Sequence, residues 1–111
     1  MTLKPTQNIV LIGMPGAGKS TLGVLLAKAI GYDFVDTDLM IQRQAGMTLG
    51  HYLADRGYQA LRQLEAEVIC ALDHAGTVIA TGGSAVYSDA AMQHLRASGH
   101  VVYLQCALDI L

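Results

Sequence analysis

The sequence is poor in charge, in cysteine and in long apolar runs, and each shortage excludes something. Charged residues make up 14% of the 111 positions, against 52% hydrophobic, which excludes a disordered tail and calls for a substantial core. Seven basic side chains face nine acidic ones, a net charge of −2, and Lys and Arg occur singly. A polyanion such as nucleic acid, or an anionic membrane surface, therefore has no basic stripe to bind. Cys70 and Cys106 lack metal-type spacing and are too few to staple a fold; both are expected to be buried thiols in a reducing cytoplasm. The apolar run at 9–12 is far too short for a signal-peptide core or a membrane span. Without repeats, linkers or low-complexity tracts, one domain over 1–111 is expected. His51, His74, His94 and His100 show no ligand spacing and are expected at the surface or at helix ends, and the five methionines form no stripe and are expected as core filler.

What is present alternates between two kinds of pattern. Residues 9–12 and 77–80 are continuous apolar runs, the signature of strands buried on both faces in a parallel sheet. Short strands are expected at 34–35 and 101–104. Between them, apolar residues at 22, 25, 26, 29 and 30 predict a helix over 19–30 that Gly31 stops. Further helices are predicted over 39–45, 49–56, 59–74 and 89–97, three of them ending at Gly46, Gly57 and Gly99. Strands alternating with helices imply βαβ units with right-handed crossovers, hence an α/β fold around a mainly parallel four-stranded sheet.

The strongest motif lies between the first strand and first helix. Gly13-Met14-Pro15-Gly16-Ala17-Gly18-Lys19-Ser20 fits G-x-x-x-x-G-K-[ST]. Glycines let successive backbone N–H groups curl inward onto phosphate oxygens, aided by the helix N-terminus that follows. Lys19 supplies a point charge for the β- and γ-phosphates, and the Ser20 hydroxyl is placed to ligate Mg²⁺.

A second constellation surrounds it. Asp36 and Asp38 end the second strand, at the sheet edge where α/β folds place ligands. Strand alternation would send both to one side. One carboxylate could support Mg²⁺ and the other face an acceptor hydroxyl; the alternative is that Asp36 or Thr37 merely caps the next helix. Thr81-Gly82-Gly83 ends the third strand and offers bare backbone to a substrate, or is a plain turn. Arg62 can grip a carboxylate with its fork, or form a surface pair with Glu65.

Taken in order, the loop at 13–20, Asp36-Thr37-Asp38, Leu61-Arg62-Gln63-Leu64-Glu65 and Thr81-Gly82-Gly83-Ser84 resemble the motifs of shikimate kinases across nearly the whole chain. The resemblance implies a three-layer P-loop kinase fold and MgATP-dependent phosphorylation of a small hydroxy acid, shikimate first among them. It implies that Gly13, Met14, Pro15, Gly16, Ala17, Gly18, Lys19, Ser20 and Thr21 bind nucleotide, with Ser20 and Asp36 on Mg²⁺. Lys19 and Asp38 would serve catalysis, Asp38 orienting the acceptor hydroxyl. Arg62 would hold the carboxylate, Glu65 would fix the guanidinium, and Gly82 and Gly83 would line the ring. Ser84 stands where the family has a third glycine, and Leu61 where it has phenylalanine. Both departures leave room for another acceptor, such as gluconate or a nucleoside monophosphate. The family also continues through an Arg-bearing lid, a second carboxylate-binding Arg, a fifth strand and an adenine loop, whereas this sequence stops at Leu111. The expectation is a chain truncated before the lid, with its fourth strand an edge open to self-association. Lidless, it would be either a weak enzyme or a nucleotide-binding remnant.

Overall fold

The structure is a computed structural model that describes residues 7–13, 18–82 and 85–104. The chain runs β1 (Asn8–Gly13), α1 (Lys19–Ile30), β2 (Asp33–Asp36), α2 (Thr37–Ala45), α3 (Leu49–Arg56), α4 (Tyr58–Cys70) and β3 (Thr77–Ala80). A 3₁₀ turn (Ala85–Tyr87), α5 (Asp89–Ser98) and β4 (Gly99–Leu104) follow. The four strands form one sheet in the order β2-β3-β1-β4, and each neighbouring pair is parallel.

The continuous apolar runs occupy the middle of this sheet because both faces there are covered. Alternation along β1 and β3 divides them between two cores. Val10, Ile12 and Ile79 pack with Ile69, Leu72, Met92 and Leu95 from the α4–α5 side. Ile9, Leu11 and Val78 pack with Ala27 of α1, joined by Leu26, Tyr32 and Phe34. Fully burying one such side chain stabilises the fold by about 1.5–3 kcal/mol. The edge strands differ: β2 is only half-buried, and β4 exposes Val102 and Tyr103.

Helix α1 turns a different face inward from the one its apolar spacing predicts. Its buried residues are Gly23 and Ala27, while Leu25 is 60% exposed. The reason is close approach, since a Cβ placed on Gly23 would lie 2.6 Å from Phe34 Cε1. A helix lying this near a sheet presents its smallest residues, and larger ones are displaced to the flanks.

Other boundaries also moved. Helix α2 begins at Thr37, two residues before the predicted start, because the Asp36 side chain caps it by accepting from the Asp38 N–H. Helix α4 ends at Cys70, not His74: the Ala71 and Leu72 N–H groups tighten onto nearer carbonyls. The segment beyond is tied to β1 by Asn8, which is 1% exposed. Its Nδ2 donates to the His74 carbonyl at 2.8 Å, and its Oδ1 accepts from the Thr77 N–H at 3.0 Å. Cys70 is exposed and free, because the last turn of α4 points that position away from the core; Cys106 lies outside the described residues. Among the histidines, His51 and His100 are exposed. His94 Nε2 lies 2.8 Å from the Leu72 carbonyl oxygen. Among the described residues no helix is long and apolar enough to cross a membrane.

Candidate functional site

The C-terminal ends of β1, β2 and β3 lie side by side in the sheet, and Gly13, Lys19, Ser20, Asp36, Asp38 and Gly82 are at or just beyond them. Gly13 closes β1, and Gly18 introduces α1 in the left-handed region with φ 80°. Only glycine takes that conformation without cost. The start of α1 carries neither a side-chain cap nor an acid in its first turn, so its positive end is left for an anion. Lys19 Nζ donates to the Gly13 carbonyl at 3.1 Å, which folds the lysine back over the loop. Thr21 sits exposed in the first turn of the same helix. Met14, Pro15, Gly16 and Ala17 lie outside the described residues.

Asp36 links this loop to the rest of the site. One carboxylate oxygen, Oδ2, accepts from Ser20 Oγ at 2.7 Å, while Oδ1 accepts from the Asp38 N–H at 2.9 Å. Of the two readings the sequence offered for Asp36, the structure shows the cap, and the same carboxylate also accepts from Ser20. Asp38 is therefore not a strand residue whose side chain follows β alternation. It sits in the first turn of α2, and the cap, rather than the pleat, sets its position relative to Asp36. Burial, then the Asp36 charge, push the Asp38 carboxyl above its ordinary value, and Lys19 pulls in the opposite direction. Lys19 is thus electrically coupled to Asp38 across the site.

Gly82 follows β3 at the same sheet edge. A Cβ built there would lie 2.6 Å from Asp38 Oδ1 and 2.7 Å from Glu65 Oε2, so any larger residue would displace the carboxylates. The start of its turn is anchored by Thr81, whose N–H and Oγ1 both donate to the Leu11 carbonyl at 3.1 Å. Leu11 lies two residues before Gly13, so this anchor couples the Gly82 turn to the phosphate loop. Gly83 and Ser84 lie outside the described residues. Thr37, between the two aspartates, is fully buried with no partner for its hydroxyl among the described residues.

Arg62 departs from expectation. Its guanidinium does not take Glu65 as its partner. It lies over the rings of Tyr58 and Tyr87, 5.7 and 5.2 Å from their centroids, and donates to the Tyr87 carbonyl at 3.4 Å. Glu65, only 6% exposed, turns instead toward Gly82 and Asp38. Tyr58 precedes Arg62 by one helical turn, a spacing that brings side chains together and was a readable signal. Tyr87 lies 25 residues away along the chain and carried none.

Among the described residues the arrangement comprises an uncapped helix N-terminus with Lys19, a hydroxyl–carboxylate pair and a desolvated second carboxylate. It can neutralise phosphate charge, accept a proton and hold a second, anionic ligand. The sequence profile of the shikimate kinase family matches residues 15–111. A curated relative, shikimate kinase 2 of Yersinia pseudotuberculosis, is 42% identical over 106 residues, covering 96% of this chain and 61% of that protein. Shikimate kinase 2 of Dickeya chrysanthemi is 42% identical over 99 residues, covering 89% and 57%. This chain therefore spans about three-fifths of the length of the curated relatives it matches. Among solved structures, shikimate kinase from Acinetobacter baumannii in complex with shikimate aligns with a TM-score of 0.82 at 35% identity, over 89% of this chain and 56% of that one. The enzyme from Aquifex aeolicus aligns with a TM-score of 0.79 at 28% identity, over 93% and 62%.

Proposed function

This chain belongs to the shikimate kinase family, and on that premise we propose that it serves the ATP-dependent phosphorylation of shikimate to shikimate 3-phosphate. The observation that carries the reading is the convergence of Lys19, Ser20, Asp36, Asp38 and Gly82 at one sheet edge, with Asp36 bonded to both Ser20 and Asp38.

The loop from Gly13 through Thr21 binds the nucleotide phosphates, and Lys19 moves from the Gly13 carbonyl to their oxygens. Ser20 Oγ and Asp36 Oδ2, 2.7 Å apart, are hard oxygen donors of the kind Mg²⁺ takes beside phosphate, directly or through water. The ion supplies charge neutralisation between the phosphates when bound. Asp38 faces the acceptor hydroxyl. As the hydroxyl oxygen bonds to the γ-phosphorus and the bond to the ADP oxygen breaks, the hydroxyl proton passes to the Asp38 carboxylate. A desolvated carboxylate with a raised proton affinity suits that transfer. Gly82 and Gly83 line the acceptor ring, and Arg62 holds its carboxylate. The cytoplasm is the compartment where such chemistry meets ATP. The exposed edge of β4, with Val102 and Tyr103 outward, offers a second copy a strand to pair with.

A coupled assay of shikimate-dependent ADP release on this chain tests the reading, alongside calorimetric binding of ADP and shikimate. Release of ADP only when shikimate is present supports it. ADP binding without shikimate binding or turnover would leave a nucleotide-binding protein and reject the proposed acceptor. Arg62→Ala is expected to weaken shikimate binding by about 10- to 100-fold, as for loss of a charge-assisted pair, with ADP affinity unchanged. Equal loss of both would make Arg62 a structural residue.

A further inference from the structure

The environment of Arg62 assigns work to two residues outside every motif. An arginine meant to receive an anion needs its charge and its N–H donors unspent. A carboxylate partner consumes both, neutralising the charge and occupying the fork. A ring face consumes neither, because a cation–π contact attracts the charge without using a donor. Arg62 is held in the second way. Its guanidinium lies 5.7 Å from the Tyr58 ring centroid and 5.2 Å from that of Tyr87. Among the described residues its one hydrogen bond is a long 3.4 Å contact to the Tyr87 carbonyl, out of five available donors. Glu65, on the same helix one turn later, is buried beside Gly82 and Asp38 instead.

The two rings are themselves largely solvent-exposed, Tyr58 at 52% and Tyr87 at 66%. Core packing therefore does not explain them. They flank Arg62 from different elements, Tyr58 from the first turn of α4 and Tyr87 from the 3₁₀ turn just beyond Gly82. Tyr87 thus connects the guanidinium to the segment that carries the acceptor turn. A contrast on the neighbouring helix sharpens the point. Arg56 also lies over a ring, that of Tyr52 at 5.8 Å, but its Nε is bonded to Asp55 at 3.2 Å, so its charge is already matched.

We propose that Tyr58 and Tyr87 are positioning residues that hold the Arg62 guanidinium unneutralised, in readiness for the carboxylate of the acceptor, and so set selectivity for an anionic over a neutral acceptor. This rests on the reading of Arg62 given above and adds the means by which it is kept available.

The test compares Tyr87→Leu, Tyr87→Phe and Tyr58→Leu with the unaltered chain, by calorimetric binding of shikimate, of shikimate methyl ester and of ADP. Loss of one ring contact should weaken shikimate binding about 3- to 10-fold. Ester and ADP binding should hold, so that the preference for the acid over the ester shrinks. Tyr87→Phe keeps the ring face and should bind as the unaltered chain does. The ring-current shift of the Arg62 Nε–H proton, read by NMR without ligand, should diminish in both Leu variants and persist in the Phe variant. The proposal is overturned if the Leu variants keep full acid-over-ester preference, or if acid, ester and ADP weaken together. Arg62→Ala separates the two levels. If it binds shikimate normally, the acceptor reading itself falls. If it loses shikimate while Tyr87→Leu and Tyr58→Leu do not, only the role of the tyrosines falls.

Discussion

On the function proposed above, the two halves of the site are built differently. The phosphate side rests on β1 and β3, whose residues are buried throughout, and is joined by short direct hydrogen bonds such as Ser20 to Asp36 at 2.7 Å. The acceptor side rests on helices. Arg62 lies on the outer flank of α4, held by two exposed rings and a 3.4 Å contact. Few buried contacts mean a low cost of local opening. The contrast suits the proposed chemistry: phosphate charge is met by groups tied to the buried central strands, whereas an acceptor must enter and leave. Gly82 and Asp38 lie on the seam, since the Thr81 anchor on Leu11 belongs to the first half and the Glu65 contact to the second.

The largest effect should come from breaking the phosphate half alone. Lys19→Ala is expected to weaken ADP binding by about 100-fold, the scale of removing one preorganised donor, while leaving shikimate affinity nearly intact. Fluorescence titration with a labelled ADP reads this, and unchanged affinity would reject the loop assignment. Next comes the seam. Gly82→Ala forces a Cβ against two carboxylate oxygens, so it should cost about 1–3 kcal/mol in a denaturant titration. It should also weaken acceptor binding about tenfold or more, with a smaller change for ADP. An alanine tolerated on both counts would mean that Asp38 and Glu65 do not converge there in solution.

The smallest effect is one of pH. The folded state raises the Asp38 proton affinity, mainly by burial, so its ionised form opposes folding. That penalty is absent in acid, where the carboxyl is protonated in both states. It grows as pH rises from the ordinary carboxylate value through the raised one. Asp38→Asn should therefore melt at a higher temperature than the parent near neutral pH, with the gap closing toward acid, while turnover is lost. A gap independent of pH would place the cause elsewhere than in the charge.

Much of the fold was legible because its signals are local. The apolar runs at 9–12 and 77–80 became the two buried central strands, and Gly31 and Gly46 stop their helices as expected. The helix stripe at 22, 25, 26, 29 and 30 misled, since the distance between α1 and the sheet, not hydrophobicity, chose Gly23 and Ala27 as the inner face. The Asp-x-Asp spacing predicted that residues 36 and 38 lie together, but through the wrong geometry. A strand reading and a helix-cap reading both bring 36 and 38 together, and only the Asp36–Asp38 hydrogen bond distinguishes them. Cys70 looked like a core thiol by type, but the end of α4 left it exposed.

The low charge, the scarce cysteine and the ordered glycine and aspartate motifs were enough to establish a parallel α/β fold and its family, because periodicity and loop chemistry are written within a few neighbouring residues. The environment of Arg62 was not. Glu65 at i+3 and Tyr58 at i−4 compete for it on the same helix, and Tyr87 arrives from a distant turn. Packing alone settled that contest, by burying Glu65 beside Gly82 and leaving the arginine to the rings.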